Sequence, residues 1–229
     1  MMIPSNHATE DLTALNARFE TADPSEVLAW AFSELGDVVV ACSFEDLVLV
    51  HLVHERWPEA EFVFLDTGGH FPETIEFVDR IEREWSLRIT RPELGPEVAV
   101  WPCGTAQCCA LRKVEPLQRA LAGRAGWVTA LKRVDAPTRA TTPVVAFDEK
   151  FGLVKVNPLA TWTDDDITYY IDQHALATHP LWAQGFASIG CAAVTTKPVN
   201  PGDRRSGRWA GGDKVECGLH EDHFGESRW

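Results

Sequence analysis

No run in this 229-residue chain approaches the roughly 18 apolar residues of a membrane span, so no helical span is expected. The leading stretch MMIPSNHATEDL has neither a basic start nor an apolar core behind it. Export is therefore not expected, and a cytoplasmic protein is. Positive charge is scarce: 21 Lys and Arg stand against 34 Asp and Glu, a net charge of −13. That balance argues against nucleic acid and anionic membrane as partners. HExxH, a Gly-rich phosphate loop and any internal repeat are also missing.

What is present is an ordinary globular composition, 45% hydrophobic and 24% charged, in a chain long enough to bury a full core. Asp23, Pro24 and Glu26 read as the capped start of a helix in DPSEVLAWAFSEL. DVVVAC, EFVFLDTG, LRIT and GWVTAL read as strands, while helical spacing fills EDLVLVHLVHERW and FPETIEFVDRIEREW. CCALRKVEPLQRAL is read as partly helical, with Pro116 interrupting or kinking it. VVAFDEKFGLVKVNPL predicts a hairpin turning at 149–152, and Thr163 caps the helix of TDDDITYYIDQHAL. Strand and helix thus alternate. The expectation is an α/β fold: a mainly parallel, Rossmann-like sheet flanked by helices, with ligands beyond the carboxyl ends of its strands. Those ends are residues 42–43, 66–69 and 129–133, small and hydroxyl-bearing enough to suit a nucleotide. Residues 1–22 read as a loose lead-in and 23–184 as the α/β nucleotide-binding domain. Residues 185–229 read as an irregular C-terminal segment and tail folded over the active site. Trp101, Trp127, Trp162 and Trp182 have no regular spacing and are expected in the core.

One stretch runs against the overall charge. Lys197, Arg204, Arg205, Arg208 and Lys214 face only Asp203 and Asp213, which fits either a small-anion site or a solvated loop. Six cysteines without an export signal point to thiol chemistry or metal rather than a disulfide framework. Cys108 and Cys109 are neighbours, a spacing that strains a disulfide, and Arg112 and Lys113 follow within one helical turn. Soft thiolates gathered from distant points, such as Cys108, Cys109 and Cys191, suit an iron–sulfur cluster or zinc. Cys42 reads as a small buried hydrophobe. Cys217, between Lys214 and His220 and beside Gly218, reads either as an exposed nucleophile activated by positive charge or as a structural thiol.

The segments LDTGGHFPET, CCALRKVEPL, TALKRVDAPTRA, GLVKVNPLATWT, SIGC, RSGRW and KVECGLH come in this order. Over roughly residues 35–220 the chain resembles the assimilatory sulfonucleotide reductases, most nearly the adenylylsulfate (APS) reductases of actinobacteria. The resemblance implies an adenine nucleotide alpha-hydrolase-like fold and the reduction of APS to sulfite and AMP in sulfate assimilation and cysteine biosynthesis. It implies that Cys217, in a tail motif completed by His220, attacks the substrate sulfur and carries it as S-sulfocysteine. Thioredoxin or a similar dithiol would then release sulfite. The family's substrate-binding arginines fall on Arg139, Arg205 and Arg208; Ser43, Thr67 and Gly68 lie on strand ends able to hold adenosine and phosphate. In the APS branch a cysteine pair and a later Cys-x-x-Cys hold a [4Fe–4S] cluster, and a lysine, here Lys113, links cluster and substrate electrostatically. The branch acting on 3′-phospho-APS (PAPS) lacks pair and cluster, so Cys108 and Cys109 imply APS.

The chain departs from that pattern at CAAVTT, where Val194 stands in place of the fourth cysteine. Four explanations are open. The cluster has three thiolates and another ligand, Cys103 supplies the missing thiolate, the cluster is lost, or position 194 is an engineered change. Two other functions are weighed: a cluster-free PAPS reductase, and a sulfur-transfer or sensing protein of the same fold, against which the intact ECGLH tail counts. A homo-oligomer is left open.

Overall fold

The computed structural model describes residues 11–200, 202–212, 214 and 216–219. Six short strands form one sheet: β1 (Val38–Ala41), β2 (Glu61–Val63), β3 (Arg88–Thr90), β4 (Gly126–Thr129), β5 (Val145–Asp148) and β6 (Leu153–Val156). Their spatial order is β3-β2-β1-β4-β6-β5, and every pairing is parallel except the β5–β6 hairpin. Side chains alternate across the pleat. Val39, Val63, Trp127 and Leu153 face one side, and Val38, Val40, Phe62, Val128 and Val156 the other. Both faces are covered, which is why the inner strands read as unbroken apolar runs. Helix α1 (Leu12–Phe19), α2 (Pro24–Trp30), α3 (Val48–His54) and α4 (Pro72–Trp85) contribute to the larger cluster. α5 (Ala106–Cys109) leads through a π-helical turn at Ala110–Val114 into α6 (Glu115–Leu121), whose Leu117 and Leu121 cover the opposite face. α7 (Asp164–Gln173) closes the larger cluster with Ile167 and Ile171.

Several sequence expectations are corrected. Residues 12–19 are a helix inside the stretch read as a loose lead-in. Asp11 caps it, Leu15 and Phe19 are buried, and Asn16 exchanges hydrogen bonds of 2.7 and 3.0 Å with Val145 on edge strand β5. Two turns are too few for helical periodicity to show in sequence. Pro116 sits at the start of α6, just after the π-helical turn that interrupts the α-helical ladder, in keeping with the expected interruption. Trp127 is core, but Trp101 is 43% exposed. Thr163 caps α7 as expected, in a capping box with Asp166.

His179 pins the start of α4. Its Nδ1 accepts from the Leu181 N–H at 3.2 Å, so Nε2 carries the proton and donates to Thr74 Oγ1 at 3.0 Å. Burial pushes its pKa down to about 4, with Glu73 opposing and His70 adding to the fall. The folded value lies below the unfolded one. The stabilisation is therefore complete above the unfolded pKa of 6.5 and is lost as pH falls toward 4. Urea unfolding should show stability dropping by roughly 2–3 kcal/mol between neutral pH and this limit through this group, with His179→Gln flattening that slope.

Candidate functional site

From β1 the chain builds outward through β2 and β3, then returns to add β4 on the other side. Connections leave in opposite directions there, opening a crevice beyond the carboxyl ends of β1 and β4. A cleft of about 210 Å³ fills it. Strand ends supply its floor: Cys42 and Ser43 after β1, Thr67 after β2, and Thr129 to Lys132 along the end of β4. Burial pushes the Cys42 thiol pKa up, so it remains a neutral wall group. Gly68 is not among the lining residues. It occupies a left-handed turn (φ 62°), donates to Asp66 Oδ1 at 2.9 Å and packs beside the Arg112 guanidinium.

The cleft concentrates positive charge in an acidic chain. Its described lining holds six cations (Lys113, Lys132, Arg139, Arg204, Arg205 and Arg208) against Glu45, Asp46, Asp135 and Glu216. Arg204 is braced by Asp164 at 2.6 Å and Glu45 at 3.0 Å, and Lys132 by Asp135 at 2.9 Å. Arg139 and Arg205 converge on Glu216, at 2.8 and 3.1 Å. Arg208 is held differently. It lies across Gly190, where a Cβ would come 2.2 Å from its guanidinium. It donates to the Ile189 carbonyl at 3.3 Å, and its buried Nε has no hydrogen-bond partner among the described residues. Trp209 serves as a platform, with Arg208 at 4.7 Å and Lys214 at 5.6 Å from its ring centroid.

Cys217 lines this cleft but is buried, which corrects the expectation of an exposed nucleophile. The reason is that the tail is docked. Glu216 sits on the two arginines, the Gly218 carbonyl accepts from Lys150 Nζ at 2.5 Å, and Leu219 packs against the α6 cluster. His220 lies outside the described residues. Lys113 is buried near Cys217. Burial opposes its charge, yet its electrostatic interaction with Cys217 and Cys191 outweighs that and holds its pKa above an ordinary lysine's.

Lys113 also lines a second, smaller pocket, shared with Cys103, Cys108, Cys109, Cys191 and Val194. Thr105 caps α5 by accepting from the Cys108 N–H at 3.1 Å, placing both neighbouring cysteines in the helix's first turn. Cys109 Sγ accepts from Lys214 Nζ at 3.1 Å, and Cys191 Sγ lies 3.3 Å from Thr67 Oγ1. Burial pushes the Cys103 thiol pKa up to about 12, with Cys191 and Cys108 adding to the rise. All four are free thiols. Among the described residues no group of three or more His, Cys, Asp or Glu is arranged to hold a single metal ion. The Arg112–Lys113 pair divides its work: Arg112 braces the turns at Thr67 and Val98, and Lys113 bridges the two pockets. Sequence reasoning did not single out Lys132, Asp135, Trp209 or Glu216, although TALKRVD, RSGRW and KVECGLH contain them.

The phosphoadenosine phosphosulfate reductase domain family matches residues 37–197. The chain is 45% identical over 231 residues to the adenosine 5′-phosphosulfate reductase of Mycobacteroides abscessus, covering 93% of this chain and 97% of that one. It is 42% identical over 234 residues to the protein of the same name from Streptomyces coelicolor, covering 95% and 98%. A crystal structure of phosphoadenylyl-sulfate reductase from Candida auris superimposes with a TM-score of 0.71 at 26% identity, covering 83% of this chain and 98% of that one. Among the described residues no helix is long and apolar enough to cross a membrane.

Proposed function

The chain belongs to the phosphoadenosine phosphosulfate reductase domain family, and from that premise we propose that it reduces APS to sulfite and AMP through Cys217. The observation that carries the reading is the placement of Cys217 in one cleft with Lys113, Arg139, Arg205 and Arg208, at the switch point of the sheet. APS is a sulfate–phosphate anhydride, and such a cleft answers its negative charge. The Cys217 thiolate attacks the sulfur; a sulfur–sulfur bond forms, the sulfur–oxygen bond to phosphate breaks, and AMP leaves with the electron pair. Buried guanidinium donors aimed at the departing phosphate stabilise the charge that develops there. Lys113, buried beside Cys217, adds a positive charge to the same cleft.

The second stage needs two electrons, which a dithiol such as thioredoxin supplies. Its thiolate attacks Cys217 Sγ, sulfite departs with the electron pair, and its second thiol resolves the mixed disulfide, returning Cys217. A protein reductant cannot reach a buried thiol, so this stage requires the tail to lift from its docked position. The cytoplasm is the compartment that keeps such dithiols reduced.

Cys108, Cys109, Cys191 and Cys103 are the residues we assign to a [4Fe–4S] cluster. Four free thiols around one pocket, two of them contacted by Lys214 and Thr67, are the donor chemistry of sulfur-ligated iron with supporting hydrogen bonds. When bound, such a cluster would set the charge that Lys113 feels on the side away from the substrate. Val194 explains why Cys103 is needed. Val194 is the third residue after Cys191, the position where Cys-x-x-Cys carries its second thiolate, and it lines the same pocket as Cys103. The neighbouring loop packs on that valine: a Cβ on Gly104 would lie 2.8 Å from Val194 Cγ1.

Substrate choice is tested by turnover. With a dithiol reductant, kcat/KM for APS should exceed that for PAPS by about tenfold or more. The reverse preference would place the chain with the Candida auris enzyme named for PAPS.

A further inference from the structure

We propose that Glu216 is an internal occupant of the anion subsite formed by Arg139 and Arg205, and that substrate binds by exchanging with its carboxylate. The proposal rests on reading those arginines as substrate-binding. Glu216 Oε2 accepts from Arg139 Nε at 2.8 Å and pairs with the charge of Nη2, also 2.8 Å away, while Oε1 takes Arg205 Nη2 at 3.1 Å and the Cys217 N–H at 2.9 Å. Arg139 and Glu216 are 8% and 4% exposed, so water cannot replace either partner in place. A guanidinium fork presents the same edge to a carboxylate as to a phosphate or sulfate. The donors that the substrate anion needs are therefore already engaged, by the residue next to the nucleophile. The other cleft acids do a different job. Asp135 braces Lys132 and Arg139, Glu45 braces Arg204, Asp46 accepts from the Val48 N–H at 3.0 Å at the start of α3, and all three project from the nucleotide-binding domain rather than the tail.

Exchange has a consequence for Cys217. Its backbone N–H is bonded to the same carboxylate, so a ligand that takes the arginines also releases residues 216–217. Filling the subsite and freeing the nucleophile's backbone are one event. Apparent affinity for an anion is reduced by the fraction of molecules in which Glu216 holds the subsite.

Inorganic sulfate and AMP, titrated calorimetrically against the full chain, separate the claims. Glu216→Gln keeps the shape and removes the charge; it should bind sulfate about tenfold more tightly than wild type. Alkylation of Cys217 by iodoacetamide in the ligand-free protein should speed by a similar factor. Glu216→Asp, which keeps the charge, should stay near wild type in both. Sulfate affinity that is unchanged or weaker in a folded Glu216→Gln protein overturns the exchange, leaving Glu216 a support for the arginines. Failure of wild type to bind AMP instead sinks the functional reading, while the sulfate comparison still decides the exchange.

Discussion

Replacing Cys217 with serine should lower sulfite release from APS by about a thousandfold or more, at saturating dithiol reductant. Two independent reasons support so large an effect. A serine hydroxyl is a far weaker nucleophile at neutral pH, and Lys113 cannot offset the difference, because an alkoxide lies much further from accessible pH than a thiolate. The second reason concerns the product. Attack by serine would give a sulfate ester with no sulfur–sulfur bond for a dithiol to open, so only sulfate could follow. AMP binding should survive, because Arg139, Arg205 and Arg208 are untouched. The intermediate gives a direct check: wild type incubated with APS and no reductant should gain the mass of one SO3 group on the peptide carrying Cys217. Sulfite release that persists in Cys217→Ser would remove this residue from the chemistry.

The sequence carried the sheet because β1, β2 and β4 are buried on both faces, and burial on both faces forces apolar runs that need no partner to be recognised. Thr163 was legible as a cap because capping is local. Helix α1 was not, since its evidence is Asn16 reaching a strand 129 residues away. The site divides along the same line. Cys217, Lys113 and the three arginines lie in quoted motifs, and all five line the cleft. What the motifs hide is pairing. Glu216 reads as the letter before a cysteine, and only tertiary structure shows its carboxylate lying across Arg139, 77 positions away. Gly68 sits in a motif that reaches the cleft through Thr67, yet its own amide serves the turn. Burial of Cys217 was likewise invisible, since Leu219 and Gly218 find their anchors in α6 and Lys150.

Cys103 and Val194 offer the second large effect, because a cluster that loses one of four thiolates is expected to lose iron. Protein purified without oxygen should carry about four iron and four sulfide per chain. Cys103→Ser should lose most of both, along with the visible absorption of the cluster. Cys103→Ser combined with Val194→Cys should regain them. The reason is geometric: residue 194 shares the pocket with Cys108, Cys109 and Cys191, and a cysteine there is smaller than the valine now pressed against Gly104. Regain in the double variant is what an unrelated folding defect in Cys103→Ser could not produce. Each failure has its own meaning. Wild type without iron refutes the cluster; Cys103→Ser with full iron retains it and leaves three cysteines and another donor to hold it. Iron lost in Cys103→Ser and regained with Val194→Cys would mean that the fourth ligand can be supplied from either of these two neighbouring positions. Gly104, in a left-handed backbone conformation (φ 97°), lies against this position: a Cβ there would come 2.8 Å from Val194 Cγ1.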